Sequence, residues 1–189
     1  MLSVKENTAA QLQMILAENM QLASRLNEDQ LAQLVTVLQS AGRIFIMAAG
    51  RSGLSMKAAA MRLMHLGLNV YVAGETTTPA IAAGDLLLAA SGSGTTASIV
   101  NAATKARAAG ASIFAISTQT DNPLVKMADY HLLLPAAAKQ DQHGLYSAQY
   151  AGSLFEQALL LVMDATFQVM WQLGGQDAPT LWKRHANME

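Results

Sequence analysis

Short apolar runs alternate with helical segments through the middle of the chain, and this alternation restricts the possible folds more than any other feature. Each run has the length and composition of a strand that is buried on both faces. The runs lie at residues 44–47, 69–73, 85–90, 112–117 and 130–134. Most of the segments between them carry apolar residues at helical spacing. The sequence therefore predicts an α/β fold, a three-layer αβα sandwich around a five-stranded parallel sheet with right-handed crossovers. We expect the strands in a flavodoxin-like order.

The rest of the chain is predicted to complete a single domain over residues 1–189. Two helices are expected within residues 1–41. The first is amphipathic, with apolar residues at Leu12, Ile15, Leu16, Leu22, Ala23 and Leu26. The second begins after Asn27, which forms the pattern of a capping box with Gln30. Residues 136–150 are polar and predict a loop of functional length. A long helix over about residues 151–173 and a short tail over residues 176–189 follow.

The composition excludes several classes of protein. A net charge of −1 without a long basic run argues against nucleic acid as a partner. The chain has no cysteine, so it can form neither a disulfide framework nor a thiolate metal site. We expect no signal peptide, no membrane-spanning helix and a cytoplasmic location. Hydrophobic residues make up 52% and charged residues 13%, so either both faces of a sheet are covered or apolar surface is buried between subunits.

Two turns rich in glycine and hydroxyl groups each follow a predicted strand and precede a predicted helix. The first spans residues 48–53 and the second residues 91–96. Such a turn directs backbone N–H groups and a helix dipole at an anion. In a flavodoxin-like strand order both turns open into one crevice, which suits a single small phosphate ester. The candidate binding residues are Gly50, Arg51, Ser52, Ser91, Gly92, Ser93, Gly94, Thr95 and Thr96.

The first turn also fits a dinucleotide-binding fingerprint, with Ala48, Gly50 and Gly53 as its small residues. Glu75 stands about 25 residues beyond Gly50, near the place of a ribose-binding acid. A nucleotide-dependent oxidoreductase is therefore one alternative, although the cation of Arg51 and the hydroxyl of the next residue do not favour it. Glu75 is otherwise either an acceptor for a substrate hydroxyl or an ordinary turn residue. Both turns could also serve only to join elements.

Glu156 is the candidate general base. By the helical period it lies about 100° around the long helix from a polar face that is formed by Gln157, Asp164, Gln168 and Gln172. Its neighbours one turn further on are Leu159 and Leu160. A carboxylate in this position is partly desolvated, which suits a group that removes and returns a carbon-bound proton. The alternative is a glutamate that only stabilises the helix N-terminus.

The histidines and methionines give no indication of a metal site. His65 lies on an apolar helix and His131 in a strand, so both are interpreted as satisfied structural residues. His143 lies in the polar loop and can be a solvated side chain. No pair of histidines has the spacing of a helical metal site. The methionines are typical of core and interface packing. The histidines and methionines therefore predict no metal site.

Six short segments together give a further indication of function. They are Gly-Arg-Ser-Gly at 50–53, Met-Arg-Leu-Met-His-Leu-Gly at 61–67, Gly-Glu-Thr-Thr-Thr-Pro at 74–79, Ser-Gly-Ser-Gly-Thr-Thr at 91–96, Ser-Leu-Phe-Glu-Gln at 153–157 and Arg-His-Ala-Asn at 184–187. In this order, over nearly the whole chain, they resemble the 6-phospho-3-hexuloisomerases of the SIS (sugar isomerase) domain family. The resemblance implies a five-stranded parallel sheet between helices. It also implies an enzyme that interconverts 3-hexulose 6-phosphate and fructose 6-phosphate without a cofactor, with Glu156 as its base.

The chain departs from this family's pattern at three places. Ala48 stands where the family usually has glycine, and Thr95 stands where glutamate is common. Tyr150 and Ala151 replace a Pro-Met pair. The last change borders the expected sugar pocket, so it leaves the identity of the sugar phosphate more open than the class of reaction.

The resemblance also implies a homotetramer built as a pair of dimers, which agrees with the apolar composition. Leu181 and Trp182 are expected to anchor the tail to a surface and to present His185 at a fixed place. The resemblance puts that place in the active site of a neighbouring subunit, where an imidazole can move protons between substrate oxygens. The alternative for His185 is a helix cap.

A different class of function also stays open. SIS domains serve as ligand-binding modules in regulators, so a non-catalytic sugar-phosphate sensor is the alternative to an isomerase.

Overall fold

A parallel sheet of five strands forms the centre of the computed structural model, which describes residues 3–136 and 147–188. The strands are β1 Ile44–Ala48, β2 Val70–Val72, β3 Leu86–Ala90, β4 Ser112–Ser117 and β5 Tyr130–Leu133. They lie in the order β2-β1-β3-β4-β5, and every neighbouring pair is parallel. The predicted flavodoxin-like order is confirmed, and β1 and β3 are direct neighbours with Ile44 opposite Leu86 and Ala48 opposite Ala90.

Helices cover both faces of the sheet, as predicted. Alternate side chains of β3 point to opposite faces, because the side-chain period of a strand is two residues. Leu86 and Leu88 belong to one core cluster, whereas Leu87 and Ala89 belong to another. The first cluster packs against α1 Val4–Ala23, α2 Glu28–Ser40, α3 Gly50–His65 and α6 Ser153–Gly174. The second packs against α4 Ala97–Ala108 and α5 Pro123–Met127. A short helix, α7 Ala178–Trp182, follows α6.

The start of α2 differs from the predicted capping box. Asn27 Oδ1 accepts a hydrogen bond from the backbone N–H of Gln30 at 3.0 Å, as predicted. The side chain of Gln30, however, accepts the backbone N–H of Leu133 at 3.0 Å. The prediction is therefore wrong for half of the box, because an unpaired donor at the sheet edge takes the oxygen that would have capped the helix. A full capping box is present instead at the start of α1, between Ser3 and Glu6.

The apolar stripe of α1 is only partly buried. Leu22 is buried, and Leu26 packs against the core from the connection after the helix. Leu12, Leu16 and Met20 are 54%, 48% and 74% exposed. The periodicity thus correctly predicts a helix, but the single chain does not cover the stripe. No helix in the described residues has both the length and the apolar content needed to cross a membrane.

A partly buried ion pair joins the amino ends of β1 and β3. Asp85 accepts two hydrogen bonds from Arg43, from Nε at 2.8 Å and from Nη2 at 2.6 Å, and a third from the Ala82 N–H at 2.7 Å. Its carboxylate is 6% exposed. Hydrogen bonding from Arg43 lowers the pKa of Asp85, and burial opposes this only in part. The sequence analysis predicts that Asp85 is the first residue of the strand, whereas β3 begins one residue later. The Asp85 carboxylate therefore lies outside the strand, where it bonds to residues of the neighbouring connections.

The Asp85 pair predicts a pH-dependent contribution to stability. Asp85→Asn should lower the free energy of unfolding by about 1–3 kcal/mol at neutral pH, because a buried donor set loses its charged acceptor. Since the folded pKa is lowered, the contribution is fully present above about pH 3.9 and is lost as the pH falls through the folded pKa. The difference between the two proteins in urea unfolding should therefore narrow below about pH 4.

The matched control for this prediction is Asp121→Asn. Asp121 pairs with Lys126 at 2.6 Å, but its side chain is 86% exposed. Screening by water makes such a pair worth little, so the substitution should leave the unfolding midpoint nearly unchanged. Equal losses for Asp85→Asn and Asp121→Asn, or a loss at Asp85 that does not change with pH, would contradict the assignment.

Candidate active site

A crevice opens where the carboxyl ends of β1 and β3 meet. The chain leaves β1 towards α3 and leaves β3 towards α4, and these two helices pack on opposite faces of the sheet. Between the two connections lies a cavity of about 110 Å³. Its walls come from both predicted turns and from the start of α6 (Ala49, Gly50, Ser52, Ala90, Ser91, Gly92, Ser93, Thr96, Ile99, Gly152, Phe155 and Glu156). The predicted convergence of the two turns at the switch point is therefore present.

The turn after β1 forms one wall of this cavity. Gly50, the first residue of α3, has a φ of +60°, a conformation that residues with a Cβ rarely adopt. Gly53 lies against the end of β1, since a Cβ there would approach the carbonyl oxygen of Ala48 to 3.3 Å. Ser52 lies between them and is 6% exposed. The first turn of a helix has N–H groups without partners inside the helix, and here that turn borders the cavity.

The turn after β3 carries hydroxyl groups that are hydrogen-bonded to one another. Ser91 Oγ lies 3.1 Å from Thr96 Oγ1 and also accepts the N–H of Gly94 at 3.1 Å. Ser93 Oγ accepts the Thr95 hydroxyl at 2.9 Å and the Thr95 N–H at 3.3 Å. These bonds fix the orientations of the side chains within the turn. Hydroxyl groups can rotate, so each can redirect its proton to a bound oxygen.

Neighbouring elements hold this second turn in place. Gly92 O accepts both the N–H of Thr118 at 3.0 Å and its hydroxyl at 2.7 Å. Gly94 has a φ of +65°, and a Cβ added there would overlap the side chain of Asn122. Gly92 faces Phe155, whose ring a Cβ would meet at 3.5 Å. Close approach therefore requires glycine at position 94, whereas a Cβ at position 92 would only make an ordinary contact with the Phe155 ring.

Glu156 reaches the same cavity from the first turn of α6. Its N–H donates to Gly152 O at 3.2 Å, and its own carbonyl accepts the hydroxyl of Ser55 at 3.0 Å. The second bond ties α6 to α3 beside the first turn of that helix. Glu156 is 5% exposed. The predicted desolvation of this carboxylate is therefore present, although the residue also lies at a helix N-terminus as the alternative interpretation requires.

Arg51 lies at the rim of the cavity and contacts the carboxylate. Its Nε is 2.5 Å from Glu156 Oε2, and its side chain is 66% exposed. Within the described residues Oε2 has no hydrogen-bond partner, so the contact is an ion pair without hydrogen-bond geometry. Because Arg51 is largely exposed, it can move without disturbing the core.

The structure brings together most of the predicted site residues. Seven of them line the cavity: Gly50, Ser52, Ser91, Gly92, Ser93, Thr96 and Glu156. Gly94 and Thr95 shape the second turn without lining the cavity. Glu75 pairs with Lys57 at 2.5 Å, and both side chains are about half exposed. This contact agrees with the turn-residue interpretation of Glu75.

His185 lies outside this cavity within its own chain. Its ring stacks on that of His65, with centroids 3.9 Å apart, and contacts Trp182 at 4.5 Å. It borders a second cavity of about 370 Å³ between α6 and α7. Leu181 anchors the tail, as predicted, but Trp182 is 71% exposed. The prediction that both residues anchor the tail is therefore wrong for Trp182, because α7 buries only one of its apolar side chains.

Two other histidines lie in the described part of the chain: His65 is buried and His131 is half-buried. Burial lowers the pKa of His65, and the nearby His185 and Arg62 lower it further. Burial likewise lowers the pKa of His131. Among the described residues, His65 Nδ1 and His131 Nε2 have no hydrogen-bond partner, so the prediction of satisfied histidines is wrong for these atoms. His143 lies outside the described residues, in which no group of three His, Cys, Asp or Glu could hold a metal ion.

Five residues that line the cavity were not candidates from the sequence: Ala49, Ala90, Ile99, Gly152 and Phe155. Phe155 supplies the apolar wall beside Gly92, and Asn122 and Thr118 support the second turn. The position of Phe155 next to Glu156 in the sequence is a signal that could have found it. Asn122 also caps α5, since its Oδ1 accepts the N–H of Val125 at 2.9 Å. Its support of the second turn depends on contacts between distant segments.

Curated relatives match almost the whole chain. A 3-hexulose-6-phosphate isomerase of Mycobacterium gastri is 49% identical over 186 residues, which cover 98% of this chain and 94% of that protein. A second protein of that name, from Bacillus subtilis, is 39% identical and covers 93% of this chain and 95% of its own length. The similarity thus includes the N-terminal helices as well as the sheet.

A solved structure and a family model agree with these matches. A crystal structure from Methanococcus jannaschii, from which a molecular function of 3-hexulose-6-phosphate isomerase was inferred, has a TM-score of 0.82 and 32% identity. The match covers 95% of this chain and 99% of that one. The family model for the SIS domain matches residues 37–161, from the end of α2 to the middle of α6. With this fold, this cavity and these relatives, the chain belongs to the SIS domain family.

Proposed function

We propose that the protein is an isomerase that interconverts 3-hexulose 6-phosphate and fructose 6-phosphate. The observation that carries the proposal is the position of Glu156, a buried carboxylate in the same small cavity as a hydroxyl-rich turn. One part of the cavity suits a phosphate group, and the other offers a base beside the carbon atoms of a bound sugar. The relatives named as 3-hexulose-6-phosphate isomerases support the choice of substrate.

The phosphate group binds between the two turns. Ser52, Ser91, Ser93 and Thr96 converge on it, and backbone N–H groups of residues 91–96 complete the cradle. All four side chains line the cavity. Charge-assisted hydrogen bonds to phosphate oxygens are stronger than the bonds between hydroxyl groups that they replace. Binding therefore redirects the hydroxyl protons without rebuilding the turn.

The reaction moves a carbonyl group by one carbon through an enediol. Glu156 removes the proton from C2 of the 3-hexulose, and the electron pair of that bond forms the double bond between C2 and C3. A proton moves from the C2 oxygen to the C3 oxygen over the two steps. Glu156 returns its proton to C3, and the carbonyl is now at C2. Atoms and electrons balance within the substrate, so the scheme needs no cofactor.

The protein is proposed to act as a homotetramer in which His185 of one subunit completes the site of another. Exposed apolar side chains support assembly, among them Leu12, Leu16 and Met20 on α1 and Leu54 and Met61 on α3. An apolar groove of about 420 Å³ also runs between α2 and α6. In this arrangement the imidazole moves the proton between the substrate oxygens. Because a sugar phosphate is charged and does not cross membranes unaided, we assign the reaction to the cytoplasm.

Glu156→Gln tests the base and the class of function together. The substitution keeps size and polarity but removes the proton acceptor, so kcat should fall by about 10²–10⁴-fold. The measurement is an assay that couples formation of fructose 6-phosphate to a detectable product. Thermal stabilisation by fructose 6-phosphate should persist in the variant. Near-normal turnover would contradict the role of Glu156, and binding without turnover in the wild-type protein would favour the sensor.

Ser93→Ala tests the phosphate cradle. Loss of a hydrogen bond to a charged group should raise KM by about 10- to 100-fold, while kcat changes little. The fold should be preserved, because Ser93 lies in a turn and, among the residues that the structure describes, its hydroxyl bonds only within that turn. Ser112→Ala is the matched control, since Ser112 is exposed at the opposite end of the sheet. A normal KM for Ser93→Ala would count against the cradle.

A subunit-mixing experiment tests the shared site. Glu156→Gln and His185→Ala subunits should each be nearly inactive alone. If each site combines Glu156 of one subunit with His185 of another, a mixed pair contains one site without damage. When equal amounts of the two variants are mixed and subunits exchange freely, one site in four combines an intact Glu156 with an intact His185. The mixture should then show about a quarter of the wild-type activity. No recovery despite exchange that mass spectrometry verifies, or a monomeric mass in light scattering, would refute the arrangement.

A further inference from the structure

A carboxylate on α1 binds the segment that leads into the active site. Glu18 Oε2 accepts the hydroxyl of Ser147 at 2.6 Å and the side-chain amide of Gln149 at 2.9 Å. Glu18 Oε1 accepts the N–H of Ala148 at 2.7 Å. Three donors from three consecutive residues thus converge on one side chain from a distant part of the sequence. Because the three donors belong to consecutive residues, these bonds restrain the backbone of residues 147–149 and not only one side chain.

The contacts continue from this segment to α6. Gln149 Oε1 accepts the side-chain amide of Gln157 at 2.7 Å, and Gln157 Oε1 accepts that of Asn19 at 2.8 Å. Asn19 follows Glu18 on α1 and is 9% exposed. Helix α1, residues 147–149 and the first turns of α6 are therefore joined in a closed set of polar contacts. Gln157 is the residue directly after the candidate base.

The segment enters α6 through a strained backbone. Ala151 has a φ of +36°, the only positive φ of a non-glycine residue in the described part of the chain, and Gly152 follows at +80°. Such a conformation costs on the order of 1–3 kcal/mol and persists only where its surroundings fix it. Gly152 lines the cavity, and its carbonyl accepts the N–H of Glu156. A displacement of residues 147–152 would therefore move both the cavity wall and the turn that carries the base.

Burial and hydrogen bonding act on Glu18 in opposite directions. Burial raises the pKa of this carboxyl group, but hydrogen bonds from Ser147, Gln149 and Ala148 together lower it below its ordinary value. The segment therefore interacts favourably with the charged form. Hydrogen bonds to a charged acceptor are about twice as strong as those between neutral groups, which is enough to oppose the strain at Ala151.

We propose that Glu18 is a positioning residue of the isomerase, which holds residues 147–152 in the conformation that places Gly152 and Glu156 against the substrate. The proposal rests on the proposed function for its catalytic consequence, but the contacts that it invokes do not depend on the identity of the sugar. Glu18 does not line the cavity itself. Its effect should therefore appear in the alignment of the base rather than in the binding of phosphate.

Glu18→Ala and Glu18→Gln form a graded pair of variants. The alanine variant removes all three acceptor contacts, whereas the glutamine variant keeps one oxygen acceptor and should retain part of the effect. Glu28→Gln is the matched control, because Glu28 is an exposed carboxylate in the first turn of α2. Two quantities are measured: residue-level amide hydrogen exchange, and kcat and KM for the hexulose phosphate.

In Glu18→Ala we expect faster amide exchange at Ala148 and Glu156, and a fall in kcat of about 10-fold with KM within about 3-fold of wild type. Glu18→Gln should lie between this variant and wild type, and Glu28→Gln should match wild type. Unchanged exchange at these amides would overturn the proposal, and so would a normal kcat in Glu18→Ala. A rise in KM with normal kcat would also overturn it.

The two proposals can fail separately. If the wild-type protein does not convert the hexulose phosphate, the proposed function fails. Amide exchange at Glu156 then decides whether Glu18 positions the start of α6, because this readout needs no substrate. If the wild-type protein is active and Glu18→Ala has normal kinetics, only the positioning role fails.

Discussion

The candidate site depends on the way two neighbouring parallel strands send the chain to opposite faces of the sheet. Strands β1 and β3 are paired in register, but α3 packs on one face and α4 on the other. No connection can cross the space between the two strand ends, so a crevice remains there. Both helices begin beside it, and each contributes N–H groups that lack partners inside the helix. An anion-binding cavity is therefore a consequence of the strand order itself.

Different kinds of contact hold the two sides of the cavity in place. The turn over residues 91–96 is held by backbone contacts to the adjacent strand connection and by the close packing of Gly94 against Asn122. The start of α6 depends instead on side chains, which join α1, residues 147–149 and Gln157. A part of the site that must hold charged oxygen atoms is thus fixed by the fold. In our proposal, the orientation of the part that carries Glu156 depends in addition on polar contacts that single substitutions can remove.

Local patterns in the sequence were enough to predict the sheet, its order and most of the residues that line the cavity. Strand length, helical spacing and glycine turns act over a few residues, and resemblance supplied the rest of the prediction. The missed features all involve partners that are distant in sequence. Gln30 bonds to Leu133 rather than to its own helix, and Asp85 bonds to Arg43. The contact between Glu18 and Ser147 joins residues 129 positions apart. The spacing of apolar residues along the sequence does not predict such long-range hydrogen bonds.

The separation between the turn over residues 91–96 and the start of α6 has a consequence for how such a protein can evolve. In the proposed complex the turns at residues 48–53 and 91–96 hold the phosphate, while Tyr150, Ala151 and Gly152 lie at the entry to α6, and Tyr150 is 90% exposed. Substitutions at residues 150–152 can change which sugar carbon skeleton is accepted without loss of binding to the phosphate group. New specificity can therefore arise by drift at a few positions, and a library restricted to them is the natural starting point for directed evolution.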